Sequence, residues 1–211
     1  MHEQGSDEWH IARAGKITAS RFSDAIAINK KSPGKSTEAR NTYMRTVVAE
    51  ILSGQPVHEI SSKSLSWGTK AEPLARSAYE ILTGQSVSGV GFIPHPDFDF
   101  IGSSPDGFVA DDGGIEIKCP YSEQGQIMAW IDGMPEEHMP QVQGGMLVTG
   151  RAWCDFLSYD PRQAEPYQLY VQRILRDQDY ISVTLLPGLL QFWREVQHMI
   201  ETINKRAGVF K

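Results

Sequence analysis

The stretch from residue 103 to residue 120 reads SSPDGFVADDGGIEIKCP and contains two short β-type segments with turn residues between them. In the second segment, Ile115 and Ile117 alternate with Glu116 and Lys118. Successive side chains of a strand point to opposite faces, so Glu116 and Lys118 would share one face and the two isoleucines the other. The pattern therefore predicts a strand with a charge pair on one of its faces.

The DDGG sequence at residues 111–114 predicts a turn that folds the first segment back as a hairpin. The hairpin would bring Asp106 close to Glu116. The two carboxylates and the carbonyl of Ile117 could then present oxygens to Mg²⁺, which prefers few carboxylates together with waters and substrate phosphate. The Lys118 ammonium could orient or deprotonate an attacking water, or stabilise charge on a phosphorane. The alternative is an exposed edge strand with a charge pair after a Pro-Asp-Gly turn.

Helical and strand-like segments alternate along the rest of the chain, with no internal linker that would divide it. This order predicts an α/β fold in which helices flank a mixed central sheet, as a single domain over residues 1–211. Helices are predicted at about 37–52, 66–82, 122–131, 135–148 and 189–206, and strands within 86–119 and at 152–159 and 167–175.

Charge is unevenly distributed along the 211 residues, whose formal net charge is −6. Residues 13–45 hold eight basic side chains against two acidic ones, whereas residues 97–137 hold ten acidic side chains and one basic one. A basic segment beside an acidic centre suits a metal-dependent enzyme acting on a polyanion, although solvated surface would explain both. Two cysteines, no signal sequence and no long apolar run favour a cytoplasmic protein without a membrane span.

Nine short motifs, in chain order, resemble lambda exonuclease and the YqaJ-type viral recombinases, also called alkaline exonucleases. This family belongs to the PD-(D/E)xK nuclease superfamily, so the resemblance implies a restriction-endonuclease-like fold. The motifs are DEWH at 7–10, RAG at 13–15, ITAS at 17–20, AE at 49–50, WGTKAE at 67–72, SPDG at 104–107, EIKCP at 116–120, QVQ at 141–143 and YDPR at 159–162.

The resemblance implies a catalytic and metal-binding centre. Glu72 would add a carboxylate from a helix outside the sheet, although on its own it would pass for a solvated helix acid. Gln141 would lie near the attacking water, with the neighbouring Gln143 as an alternative. The core of the centre would consist of Asp106, Glu116 and Lys118, with the Ile117 carbonyl as a further metal ligand.

The resemblance also implies a site for the DNA end. A pocket for the 5′-phosphate would use a guanidinium and hydroxyl groups, which suit phosphate. The alternatives are that Arg13 is a surface charge and Ser20 a helix cap. The pocket would consist of Arg13, Ser20 and Ser104; Lys30, Lys31 and Lys35 would line the duplex path, and Leu65 would split the strands.

The function implied is a Mg²⁺-dependent 5′→3′ exonuclease, with two ions expected and Mn²⁺ as a possible substitute. It would digest one strand of linear double-stranded DNA from its ends, giving 5′-mononucleotides and a 3′ single strand for phage-type recombination by strand annealing. A homotrimer, a phage single-strand annealing protein as partner, and the cytoplasm of a bacterial host are expected by the same resemblance. The alternatives are an endonuclease or junction resolvase on the same fold, and a non-catalytic protein that binds DNA ends.

Overall fold

The structure is a computed structural model, and it describes residues 2–29, 32, 35–57 and 62–208. The helices are α1 (Asp7–Arg13), α2 (Phe22–Ala25), α3 (Glu38–Ser53), α4 (Lys63–Thr83), α5 (Glu123–Asp132), α6 (Met139–Thr149), α7 (Gln178–Tyr180) and α8 (Leu186–Arg206). The strands are β1 (Ile17–Thr18), β2 (Val87–Ser88), β3 (Ile93–Pro94), β4 (Ile101–Ser103), β5 (Gly107–Val109), β6 (Gly113–Lys118), β7 (Trp153–Tyr159) and β8 (Leu169–Leu175). Short 3-10 turns cover Ala19–Arg21 and Glu136–His138, and a π-helical turn, Ile181–Leu185, joins α7 to α8.

The strands form two mixed sheets, which confirms the predicted mixed α/β class but divides the predicted single sheet. The larger sheet has the order β2-β5-β6-β7-β8, in which β6 and β7 are parallel. The smaller sheet has the order β1-β4-β3, in which β1 and β4 are parallel. The chain passes from one sheet to the other between Ser103 and Gly107. Pro105 lies in this passage, and proline has no N–H to donate to a continuing ladder.

The predicted hairpin is present in the larger sheet. Strands β5 and β6 pair antiparallel, with Gly107 opposite Ile115 and Val109 opposite Gly113. The next position before Gly107 is Asp106, which this register places beside Glu116. The hairpin therefore brings the two carboxylates to the same end of the sheet, as the turn sequence predicts.

The two long N-terminal helices begin and end at capping residues. The Thr37 hydroxyl accepts the amide of Arg40 at the start of α3, and α3 ends at Gly54 in the left-handed conformation (φ 67°). Helix α4 begins at Lys63, three residues before the predicted start, because the Ser62 hydroxyl accepts the amide of Leu65. The additional turn places Leu65 on the helix.

Apolar side chains from both faces of the larger sheet hold the helices in place. Helix α4 covers one face and α6 covers the other, so β6 is buried on both sides. Ile115 and Ile117 face α4, whereas Glu116 lies on the opposite face. A third apolar cluster joins α3 and α8 to the smaller sheet. In the described residues, we find no helix with the length and apolar character needed to cross a bilayer.

Candidate active site

Glu116, Lys118 and Gln141 form a closed network of side chains at the end of β6. The Glu116 Oε1 accepts hydrogen bonds from Lys118 Nζ at 2.7 Å and from Gln141 Nε2 at 2.5 Å. Lys118 Nζ also donates to Gln141 Oε1 at 3.0 Å, so each side chain contacts the other two. Only 6% of Glu116 is exposed. Burial together with this network fixes the positions of the carboxylate and the ammonium.

Asp106 lies beside this network and is held at both ends. Its Oδ2 accepts the Ile117 amide at 2.6 Å, and its backbone carbonyl accepts the Arg76 guanidinium at 2.5 Å. Burial raises the pKa of Asp106 well above its ordinary value, and the negative charges of Glu116 and Glu72 raise it further. A divalent cation near these carboxylates would offset their repulsion.

Glu72 faces the same region from α4. Burial raises the pKa of Glu72, Arg76 opposes the rise, and the charge of Glu116 adds to it. The guanidinium of Arg76, one turn further along α4, lies 3.8 Å from the Glu72 carboxylate. The structure thus brings Glu72, Asp106 and Glu116 within electrostatic range of one another. We call Glu72, Asp106, Glu116, Lys118 and Gln141 the carboxylate cluster.

Arg76 was not expected at the site. A signal for it exists in the sequence, because the spacing of Glu72 and Arg76 is the i,i+4 spacing of ion pairs on one helix face. Its second contact, to the carbonyl of Asp106, joins positions 30 apart in the chain and depends on the packing of α4 against the larger sheet. Only the structure reveals this contact.

The charge state of Lys118 limits what its amine can do. Burial lowers the pKa of Lys118, but the charges of Glu116 and Asp106 and the hydrogen bond to Glu116 outweigh burial, so its pKa is raised. The side chain therefore stays an ammonium at neutral pH while these carboxylates are charged. This favours orientation of water or stabilisation of negative charge over removal of a proton.

The donor set of the cluster fits Mg²⁺. In the part of the chain that the structure describes, no group of three or more His, Cys, Asp or Glu side chains has the arrangement of a complete metal cage. Mg²⁺ is usually held by one or two carboxylates, with waters and substrate phosphates as its other ligands. Asp106 and Glu116 would supply those carboxylates, and the Ile117 carbonyl remains a predicted ligand.

The sequence leaves open whether Gln141 or Gln143 lies at the site, and the structure places the two side chains in different surroundings. Gln141 contacts Glu116 and Lys118 in the carboxylate cluster. Gln143, two residues further along α6, is buried on another face of the helix, where its Nε2 donates to the carbonyl of Leu175 at 2.8 Å and its Oε1 accepts the amide of Asp177 at 2.9 Å. Gln143 thus holds the end of β8 and the start of α7, whereas Gln141 lies in the carboxylate cluster.

Two of the three residues predicted to bind the 5′-phosphate, Arg13 and Ser104, lie where α1 meets the segment after β4. The Ser104 hydroxyl accepts Trp9 Nε1 at 3.0 Å and an Arg13 nitrogen at 3.4 Å. The Arg13 guanidinium lies 3.9 Å from the centre of the Trp9 ring. Ser20 is exposed in the 3-10 turn after β1, with its hydroxyl 3.5 Å from that of Thr18. Arg13 and Ser104 are thus in direct contact.

A groove of about 620 Å³ opens beside Arg13. Leu65, predicted to split the strands, lines the same groove from the first turn of α4 and is 50% exposed. A groove of this size is large enough for a ligand of about the size of a nucleotide. We call it the basic groove after Arg13, Lys16 and Arg21; its lining also includes the acidic Asp7 and Glu50, with Trp9, Tyr43 and Leu65.

Among the described basic residues of 13–45, Arg40 is turned inward instead of facing solvent. Arg40 is buried, where it forms an ion pair of 2.6 Å with Glu195 and donates to the carbonyl of Ala25, so it stabilises the contact between α3 and α8. Lys35 is exposed. The predicted contacts Lys30 and Lys31 lie outside the described residues.

The YDPR motif at 159–162 supports the end of β6 without entering the cluster. Arg162 binds Asp160 at 2.8 Å and donates to the carbonyls of Pro120 and Tyr121, just after Lys118. It also lies over the Trp67 ring, at 4.4 Å from the ring centre. The motif therefore fixes the chain that leaves the cluster.

Comparison with known proteins matches residues 8–152 to the YqaJ-like viral recombinase domain. The chain belongs to this family. No curated protein sequence gives a significant match. Among solved structures, the chain is similar to an alkaline exonuclease (LHK-Exo) from Laribacter hongkongensis, with 38% identity, a TM-score of 0.86, and coverage of 96% of this chain and 98% of that one. The structure of LHK-Exo in complex with dAMP gives 39% identity with the same TM-score and coverage.

A phage-related exonuclease from Haemophilus somnus 129PT shares the fold at 17% identity, with a TM-score of 0.67 and coverage of 89% of this chain and 96% of that one. The fold of this YqaJ-family chain is therefore restriction-endonuclease-like, as the motifs imply.

Proposed function

We propose that this YqaJ-family chain is a Mg²⁺-dependent 5′→3′ exonuclease acting on the ends of double-stranded DNA. It would release 5′-mononucleotides and leave a 3′ single strand for recombination by annealing. Family membership and the similarity to an alkaline exonuclease over 96% of the chain support a nuclease. Mg²⁺ dependence and strand polarity rest on the residues of the site.

The observation that carries the proposal is the short distance between the phosphate pocket and the carboxylate cluster. Ser104, which contacts Arg13, and Asp106, which lies beside Glu116, are two residues apart. Two residues of chain span at most about 7 Å. A 5′-phosphate bound at Arg13 and Ser104 would therefore place the first phosphodiester bond close to the carboxylates, which is the arrangement needed to remove one nucleotide at a time.

The chemistry would be hydrolysis of a phosphodiester by water. Asp106, Glu116 and the Ile117 carbonyl would hold Mg²⁺, with two ions expected; when bound, it activates water and neutralises phosphate charge. Lys118, as an ammonium, would stabilise the negative charge that develops on the phosphorane. Gln141 would hold Glu116 and Lys118 in register and present its amide near the water, and Glu72 would add a carboxylate from α4.

Strand selection would come from the basic groove. Arg13, Ser20 and Ser104 would bind the terminal phosphate, because a guanidinium with hydroxyl groups can make several charge-assisted hydrogen bonds to phosphate. Leu65 would separate the end from its complement, since an apolar side chain can insert between stacked bases. Lys30, Lys31 and Lys35 would contact the duplex outside the groove.

Digestion of linear duplex labelled at either the 5′ or the 3′ end tests this function. We expect Mg²⁺-dependent release of labelled mononucleotide from the 5′ end first, and retention of the 3′ label on a long strand. Closed-circular plasmid is the control, because an exonuclease leaves it intact and an endonuclease or junction resolvase does not. Release from the 3′ end first, or nicking of the circle, would overturn the proposal, and binding without cleavage would leave only an end-binding protein.

We also propose that the chain forms a ring-shaped homotrimer and that its partner is a phage single-strand annealing protein. Both proposals come from the family resemblance. Mass determination in solution by light scattering tests the first: we expect three copies. A stable monomer at the concentration used for digestion would contradict it. Co-elution with the annealing protein encoded by the same phage or prophage tests the second, and separate elution would contradict it.

A further inference from the structure

Arg21 lines the basic groove but is not among the residues that the motifs assign to the 5′-phosphate. Its Nε donates to the Asp24 carboxylate at 2.6 Å, and its guanidinium lies 4.6 Å from the centre of the Tyr43 ring. Neither terminal nitrogen of Arg21 has a hydrogen-bond partner among residues 2–29, 32, 35–57 and 62–208. The side chain is 37% exposed, so these two donors are accessible from the groove.

The platform beneath Arg21 is rigid. Tyr43 is buried, its hydroxyl accepts the amide of Thr18 at 3.0 Å, and its ring stacks on Phe192 with 5.3 Å between centres. A guanidinium held between a fixed ring and Asp24 loses little further freedom when an anion binds. Two adjacent N–H donors in one plane match the oxygens of a phosphate bidentately. The position therefore has the chemistry of a phosphate contact.

Arg21 and Arg13 are held by different neighbours in the groove. Arg13 is held by Trp9 and Ser104, at the side that leads to Asp106. Arg21 is held over Tyr43 of α3. Burial raises the pKa of Tyr43, and both guanidinium groups oppose this rise, so both lie near the same wall. The carboxylate of Glu50 in this wall is already bonded to the amides of Gly15 and Val57.

We infer that Arg21 binds an internal phosphodiester of the DNA whose terminal 5′-phosphate lies at Arg13. This inference rests on the proposed function and adds a second phosphate contact to it. Because the internal phosphate is present whatever the chemistry of the end, Arg21 would strengthen binding of phosphorylated and hydroxyl ends equally. Arg13 would strengthen binding of phosphorylated ends only.

The test is the affinity of the whole chain for linear duplexes with 5′-phosphate or 5′-hydroxyl ends, by fluorescence anisotropy with Ca²⁺ in place of Mg²⁺. We expect Arg21→Gln to weaken binding of both duplexes about ten-fold, the effect of losing a hydrogen bond to a charged group. The slope of log affinity against log salt should fall by about 0.9, because one phosphate contact is lost. Arg21→Lys keeps the positive charge but lacks the paired N–H donors of the guanidinium, so it should weaken binding by a smaller factor.

Arg194→Gln is the matched control, because it removes the same charge from an exposed arginine on α8 that donates to Gln191 outside the groove. It should leave affinity and salt slope unchanged. If Arg21→Gln behaves like this control while its thermal midpoint equals that of the unchanged chain, the inference is overturned. If Arg21→Gln weakens only phosphorylated ends, Arg21 belongs to the terminal phosphate and the assignment to an internal one is wrong. If the unchanged chain does not bind duplex ends, the proposed function fails as well.

Discussion

The carboxylate cluster and the basic groove differ in how their charged groups are satisfied. In the cluster, Glu116, Lys118 and Gln141 bond to one another and Glu116 is almost fully buried. In the groove of about 620 Å³, Arg21 is a lining residue whose two terminal nitrogens have no hydrogen-bond partner among the described residues. A site that performs chemistry gains from fixed groups and low access to water, whereas a site that receives a strand has to present groups that substrate can still bind. Substitutions in the two regions should therefore have separable effects.

The largest expected effect is loss of cleavage without loss of binding. Lys118→Ala removes the ammonium that bonds to Glu116 and Gln141, and we expect hydrolysis to fall by about 10³-fold, the scale of losing one fixed electrostatic donor. Affinity for duplex ends in Ca²⁺ should stay within about three-fold, since Lys118 lies outside the groove lining. Single-turnover digestion and anisotropy on the same preparation check both. Substantial Mg²⁺-dependent hydrolysis by this variant would show that the active site is elsewhere.

Substitutions of the two glutamines of α6, Gln141 and Gln143, should have smaller effects, and one should act on the cleavage rate and the other on stability. Gln141→Ala should lower the cleavage rate by about 10–100-fold, as for other residues that orient metal ligands and reacting groups. Gln143→Ala should instead lower the free energy of unfolding by about 1–3 kcal/mol, because it leaves the buried carbonyl of Leu175 and the amide of Asp177 without their partner. Digestion rates and urea unfolding of both variants measure this. The reverse pattern would mean that Gln143 is the catalytic glutamine.

On the groove side, Arg13→Gln should remove the preference for 5′-phosphorylated ends. Arg13 contacts Ser104 and is proposed to bind the terminal phosphate, so we expect phosphorylated duplex to lose about ten-fold in affinity and hydroxyl-ended duplex to change little. The ratio of the two initial digestion rates gives a second measurement. A variant that still distinguishes the two ends as the unchanged chain does would place the pocket elsewhere.

The smallest expected effect is a gain in stability from Asp106→Asn in the metal-free protein. The pKa of Asp106 is raised by burial and by Glu116 and Glu72, so between its ordinary and its raised pKa the folded chain binds more protons than the unfolded chain. Its ionisation therefore lowers stability as pH rises through that window. The amide avoids this cost, and each 1 kcal/mol gained raises the thermal midpoint by about 2–4 °C at this chain length.

In EDTA, the thermal midpoint of the unchanged chain should rise as the pH is lowered from neutral into the window between the ordinary and the raised pKa of Asp106. The midpoint of Asp106→Asn should depend less on pH. A variant that is less stable than the unchanged chain at neutral pH would contradict the interpretation of the carboxylate repulsion. Added Mg²⁺ should stabilise the unchanged chain more than the variant, because it binds the folded state through that carboxylate.

Local patterns in the sequence predict much of the fold and part of the site. The hairpin that pairs Asp106 with Glu116 follows from turn residues and alternation, and the ends of α3 and α4 follow from glycines in the left-handed conformation. The division of the strands into two sheets was not predicted, because each short strand is compatible with either sheet and only pairing decides between them.

Contacts between segments that are far apart in the sequence also cannot be predicted from local sequence patterns. Arg40 is buried against Glu195, 155 positions away in the chain. Arg76 contacts the carbonyl of Asp106, 30 positions away. Neither contact leaves a periodic signal in the sequence. The first removes a basic residue from the segment expected to face DNA, and the second adds an arginine to the candidate site. The choice between Gln141 and Gln143 is of the same kind, since both lie on α6 and only tertiary contacts distinguish them.

The central claim is that the carboxylate cluster and the basic groove act on the same DNA end. Its most direct test is the affinity of the unchanged chain for a 5′-phosphorylated duplex in EDTA and in Ca²⁺. The carboxylate of Asp106, two residues from Ser104, and those of Glu72 and Glu116 repel the phosphates until a cation neutralises them, so we predict that Ca²⁺ raises affinity by about ten-fold or more. Equal affinity in EDTA and Ca²⁺ would contradict the claim, because the groove would then bind DNA without bringing it to the cluster.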